Sequence, residues 1–128
     1  MDPVIGVTVT EPALLIRINR SYREGLSALA LYEATRGVWK LGPRREGAHL
    51  ALAVYQGRVV EVYSVHDWHP ANSTPYTTRT FDPSLMRGRW EFSGAVAEES
   101  VRAKYLRKLV VRYFTPGSQN PVTYVNVD

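Results

Sequence analysis

The chain has 128 residues, a length suited to one domain with one real core, and its 45% hydrophobic and 22% charged content excludes a disordered tail. The absence of cysteine excludes disulfides, thiolate metal sites and cysteine nucleophiles, and no apolar run approaches the roughly 18 to 20 residues of a membrane helix. The net charge is +4, with lysine only at 40, 104 and 108 and arginine elsewhere; a planar guanidinium fork suits phosphates and base edges, which brings nucleic acid forward as a partner.

Residues 1–13 carry Pro3 and Pro12 around a Val-Thr-Val-Thr run and read as a lead-in arm or short edge strand. Met1 to Gly6 has neither the basic start nor the apolar block of a signal peptide, so the expected location is the cytoplasm. Leu14 to Asn19 is the first firm strand, with Leu14, Ile16 and Ile18 alternating against Leu15, Arg17 and Asn19. Asn19 to Gly25 is a loop. Ser27 is the expected N-cap of a short helix from Ala28 to Thr35, and Gly37 stands where a helix C-terminus favours a left-handed residue. Val38 to Leu41 is a short strand, followed by a loop or single turn over Gly42 to Gly47.

The stretch from Ala48 to Pro70 holds the longest run of β-forming residues, and Gln56-Gly57 divides it as a hairpin turn. Leu50, Leu52 and Val54 fall on one face, with Ala51, Ala53 and Tyr55 on the other. In the second half, Val60 and Val62 oppose Val59, Glu61 and Tyr63. Both faces are largely apolar, as in a central strand covered on both sides. Pro70 to Pro83 is rich in proline and small polar residues and reads as a long surface loop, a class that is often functional or mobile. Arg89 to Val96 is another strand. Glu98 to Lys108 is a second helix, acidic at its start and basic toward its end, with an expected ion pair between Glu98 and Arg102. Leu109 to Phe114 either extends that helix or forms a strand, and its β-branched residues favour the extended form. Thr115 to Pro121 is a turn and Val122 to Val127 the closing strand.

These elements amount to a single domain over 1–128, mainly β with two short helices. The expected architecture is a small, curved, mixed or antiparallel sheet closing into a barrel, with an open α+β sandwich as the alternative. Two groups of residues carry chemistry. His66, Asp67 and His69 offer metal-ligand types, but i and i+3 point to opposite sides of an extended segment and no HExxH-type signature accompanies them. His49 starts the preceding strand and could lie near that end of the hairpin. Trp39, Trp68 and Trp90 each sit at a strand end beside arginine, lysine or histidine, and Tyr63 is among the tyrosines that extend this aromatic surface. Rings beside cations at strand ends can stack a flat base while arginine holds phosphate. No nucleophile elbow, phosphate loop or dinucleotide fingerprint is present, no cofactor is implied, and the reading leans away from an enzyme.

Gly37 to Gly42, then Leu50 to Tyr63 with its Gln-Gly turn, then Arg89 to Gly94, follow an order of features that resembles the PUA-like superfamily, which includes the EVE, YTH, ASCH and SRA domains. The resemblance is one of pattern and spans about residues 14 to 127; the ASCH signature G-x-K-x-x-E-x-R is missing. It implies a PUA-like barrel that binds RNA or DNA, with an aromatic pocket for a modified or flipped-out base. By that implication Trp39, Trp68 and Trp90 are pocket candidates and Arg17, Asn19, Arg36 and Lys40 are contacts to backbone or base edges; Tyr63, from its place on the aromatic surface, is a further ligand-binding candidate. Two other readings stand beside it. One is a small metal-dependent hydrolase using His66, Asp67 and His69. The other is a protein-interaction module or homodimer subunit with tyrosine and arginine on its interface.

Overall fold

A computed structural model describes residues 6–128. The chain forms β1 (Ala13–Arg17), α1 (Ala28–Arg36), β2 (Gly37–Trp39), a 3-10 turn (Pro43–Gly47), β3 (Leu50–Tyr55), β4 (Arg58–Pro70), α2 (Pro83–Met86), β5 (Trp90–Val96), α3 (Glu99–Tyr105), a 3-10 turn (Val111–Tyr113) and β6 (Val122–Val125). The six strands make one curled, mixed sheet in the order β2-β5-β4-β3-β1-β6, a half-barrel. β2 and β6 stand at opposite edges of that order, so the expected closure into a barrel is not made by strand pairing among the described residues. β1 runs parallel to β3, and the remaining neighbours are antiparallel. A parallel pair needs a long crossover, and α1 and β2 lie within it.

The Gln56-Gly57 turn closes the central hairpin as its sequence requires. Both residues have positive φ, 50° and 79°, which matches the right-handed twist of the flanking strands. The faces of β4 differ from simple alternation. Ala53 pairs with Glu61 and Val54 with Val59, so Val60 is an extra residue in a β-bulge. The bulge moves Val59 onto the face of Val62. Both pack with Leu50, Leu52, Val54, Tyr105 and Val110, while Val60 packs with Ala51, Ala53 and Tyr63 on the other side. Each face of the hairpin thus covers its own apolar cluster.

A second bulge lies further along β4. Val65 pairs with Gly94 and Asp67 with Ser93, which leaves His66 as the extra residue. This restores Trp68 to the face of Val65, three positions away, where it meets Phe92 edge-on with centroids 5.4 Å apart. Gly94 is required at this crossing, because a Cβ there would run into the Ser64 carbonyl.

Ser27 caps α1 as expected, its Oγ accepting from the Ala30 N–H at 3.1 Å. Gly37 does not adopt a left-handed cap. Its φ of −173° is extended and it opens β2. Glycine is needed there for space, since a Cβ would strike the Tyr76 hydroxyl and Glu91. α3 is shorter than the expected helix, and Arg102 pairs with Glu61 of β4 at 2.7 Å and reaches Glu99, not Glu98. The segment after it is neither helix nor strand. Leu109 makes isolated bridges to Gly6 and Arg58, and Val111–Tyr113 is a 3-10 turn. Of the expected N-terminal arm, residues 1–5 lie outside the described residues. Val7 donates to the Leu109 carbonyl and Val9 is buried in the core, so this part is an ordered arm and not a sheet strand.

Candidate functional site

Residues 71–82 have no regular structure, yet they are tied down. Glu33, buried on α1, accepts from the Thr77 N–H at 3.0 Å and from the Thr78 N–H at 2.7 Å, and both threonine hydroxyls add to the grip. Burial pushes the Glu33 pKa up, but these hydrogen bonds outweigh it and hold the carboxyl below its ordinary value. Arg79 donates to the Glu33 and Gly37 carbonyls at 3.0 and 2.9 Å and lies over the Phe81 ring. The loop is a strap over the C-terminal half of α1, anchored by polar side chains.

Arg36 belongs to this anchor. Its guanidinium is buried, donates to Glu91, to Thr74 Oγ1 at 2.8 Å and to the Pro75 carbonyl at 2.9 Å, and stacks on the Tyr76 ring. It is therefore consumed inside the protein, contrary to the expectation of a contact to a nucleic-acid backbone. Tyr63 is 2% exposed, between the Tyr32 and Phe92 rings, and burial raises its pKa. It is a core residue and does not line a pocket wall.

The three tryptophans separate. Trp68 is half-buried in the sheet-face cluster against Phe92, and its indole N–H is buried without a partner among the described residues. Trp90 pairs with Trp39 in the β2–β5 register, but the Arg45 guanidinium lies 3.3 Å from its ring centroid and covers it. Trp39 is held in place by its own N–H, which donates to the Thr35 carbonyl at 2.8 Å. It lines a cleft of about 440 Å³, in the range that accommodates a small ligand.

That cleft gathers Trp39 with Arg17 and Asn19, three of the residues singled out from sequence. It adds Arg20, Ser21 and Arg79 on one side and Ser118 and Gln119 on the other. The pairing of β1 with β6 explains how Arg17, Asn19 and Arg20 meet Ser118 and Gln119. Ile16 lies opposite Val122, so the loop leaving β1 and the turn entering β6 emerge side by side. Arg17 donates to the Ser118 carbonyl at 3.0 Å and to that of Asn120, and its guanidinium lies over Phe114, which pins the turn to the strand. Asn19 Oδ1 accepts from the Gln56 N–H at 2.9 Å and ties the loop to the central hairpin. Arg20 is exposed, and its side chain makes no hydrogen bond or ion pair among the described residues. The lining contains three arginines and no carboxylate. A cleft with one sign of charge and a low-dielectric wall concentrates an anionic ligand.

Lys40 follows Trp39 and is exposed, likewise without a partner among the described residues. His69 shares a hydrogen bond with Ser93 Oγ at 3.0 Å, while His66 is exposed at the bulge. The described residues hold no cluster of three or more histidine, aspartate or glutamate side chains arranged to bind a metal ion. No helix among them is long and apolar enough to cross a membrane. Arg20, Ser118 and Gln119 were not legible as site residues, because the only signal was that polar turn segments flank β1 and β6, and the strand pairing was needed to bring them together; Arg79 was not legible because it reaches the cleft from the strap, through its bonds to the Glu33 and Gly37 carbonyls.

Comparison with models of known protein families, with curated proteins and with solved structures finds no match.

Proposed function

We propose that the chain is a nucleic-acid-binding module of PUA-like character, and that the Trp39 cleft receives a base taken out of its stack. The observation that carries this reading is the composition of the cleft: a fixed indole ring beside the exposed, unpartnered guanidinium of Arg20, with Arg17 and Arg79 adding positive charge while they donate to backbone carbonyls, and no carboxylate in the lining. A base stacks on an aromatic face, and arginine offers a flat fork to phosphate or to a base edge. Asn19, Ser118 and Gln119 supply the neutral donors and acceptors that a base edge needs. The half-buried indole keeps its ring orientation through Thr35, which favours a stacking platform over a mobile contact. The reading extends to a modified base, whose added group changes its fit beside Trp39, and to a cytoplasmic location, which cell fractionation tests.

The direct experiment is fluorescence anisotropy at low salt with labelled single- and double-stranded DNA and RNA, modified bases included. The expected outcome is saturable binding whose log affinity falls linearly with log salt concentration. Failure to bind any of these oligonucleotides removes the proposal.

A further inference from the structure

A second cleft, of about 740 Å³, lies on the other side of the loop that borders the Trp39 cleft. Ser21 lines the first cleft and the next residue, Tyr22, lines the second. Tyr22 and Tyr55 form its aromatic wall, with ring centroids 4.7 Å apart. Arg58, Arg102 and Arg107 supply its cations, and Glu24 is the one carboxylate of the lining. Arg102 is already neutralised by Glu61, at 2.7 and 3.2 Å. Arg58 and Arg107 are exposed, and their side chains make no hydrogen bond or ion pair among the described residues.

Arg107 occupies a costly position for an arginine. Its φ is 69°, in the left-handed region just past the end of α3, where glycine is the ordinary choice. The turn is held by backbone bonds alone: the Arg107 N–H donates to the Val59 carbonyl at 2.8 Å, and the Val59 N–H donates to the Lys108 carbonyl at 2.9 Å. The fold therefore uses the backbone of residue 107 and leaves its guanidinium unspent. Arg58 stands opposite Tyr55 in the hairpin register, on the same cleft.

We propose that this second cleft holds a backbone phosphate of the same strand whose base enters the Trp39 cleft, so that the ligand is an unpaired nucleic-acid strand crossing both. The inference rests on the reading of the Trp39 cleft and specifies its substrate. Asn19 and Gln56, one from each rim, are hydrogen-bonded at 2.9 Å, so a strand passing the first rim meets the second directly. A duplex is too stiff to bend around one loop, whereas a single strand turns freely.

The test uses the full chain and anisotropy with oligothymidylate of about three and about twelve nucleotides, a span chosen to bracket common single-strand site sizes, and with a duplex matching the longer strand. Arg58→Ala and Arg107→Gly are each expected to weaken binding of the longer strand about three- to tenfold and to reduce its salt slope by about one contact. Both should bind the short strand as the unaltered protein does. Arg107→Gly should keep or raise the melting temperature, which a merely structural arginine would not allow. If Arg107→Gly fails to fold, Arg58→Ala carries the comparison. Unaltered affinity of these variants for the longer strand overturns the inference and leaves the Trp39 reading standing, and duplex binding as tight as single-strand binding overturns it as well. Absence of binding to every oligonucleotide removes both.

Discussion

Arg36 at the end of α1 lies 3.2 Å from Glu91 of β5, with their side chains 6% and 0% exposed. Both partners also hold the strap: Glu91 accepts from the Asn72 N–H at 2.9 Å and from Thr74, and Arg36 reaches Thr74 and Pro75. The pair therefore joins helix, sheet and strap at one buried point. Removing one partner leaves an uncompensated buried charge. Glu91→Leu or Arg36→Met should each cost about 3–5 kcal/mol in urea unfolding. The double replacement Arg36→Met with Glu91→Leu should recover much of that loss, because both charges go together. Simple additivity of the two single losses would show that the pair is not coupled.

Glu33 gives the strap a pH dependence. Its folded pKa is depressed, so the stability it contributes is fully present above the unfolded value, about 4.3 for glutamate, and is lost as pH falls through the folded value. Cleavage of residues 71–82 by an acid-tolerant protease should accelerate below about pH 4. Glu33→Gln should cost about 1–3 kcal/mol and flatten that dependence. A protease profile unchanged by Glu33→Gln would assign the acid sensitivity elsewhere.

Trp39 and Trp68 should separate binding from stability. Trp39→Ala should weaken oligonucleotide binding by about 1–3 kcal/mol per stacked base, and Trp39→Phe should retain most of it. Trp68→Ala should instead cost about 3–5 kcal/mol of stability through loss of its packing on Phe92, with affinity of the folded protein unchanged. Calorimetry and anisotropy on the same samples distinguish the two. The reverse assignment of effects would move the site away from the Trp39 cleft.

Gly94 tests the second bulge. A Cβ at this position meets the Ser64 carbonyl, a backbone atom that cannot rotate away. Gly94→Ala should destabilise by about 1–3 kcal/mol or more, as overpacking does. Gly42→Ala, where a Cβ meets no neighbouring atom, is the matching control and should stay within about 0.5 kcal/mol. Equal effects at the two positions would mean that the strands separate without cost.

Much of the local structure was legible because it follows from short-range chemistry. Ser27 caps its helix, Gln56-Gly57 turns the hairpin, and the strands around Leu14, Leu50, Trp90 and Val122 follow alternation and β-branching. Alternation failed on β4, where Val60 and His66 are each one residue too many and reverse the faces beyond them. Nothing in the local pattern marks a bulge, since it is defined by the partner strand. Glycine at 37 was visible but its reason was not, because the atoms that exclude a side chain, Tyr76 and Glu91, come from distant parts of the chain.

The same division holds at the candidate site. Composition and residue type alone established an arginine-rich, cysteine-free chain with aromatic residues at strand ends. They could not say which cation is free. Arg36, Arg45 and Arg20 look alike in sequence, yet one is buried against Glu91, one is stacked on Trp90 and one is exposed at a cleft. Charge and ring type are properties of single residues, whereas availability depends on which partners the fold places within hydrogen-bonding distance. Tertiary structure alone decided that Trp39 and Trp68 both pack partly buried against one apolar cluster, that Trp39 also lines an arginine-rimmed cleft while Trp68 meets Phe92 edge-on, and that Trp90 lies under a guanidinium.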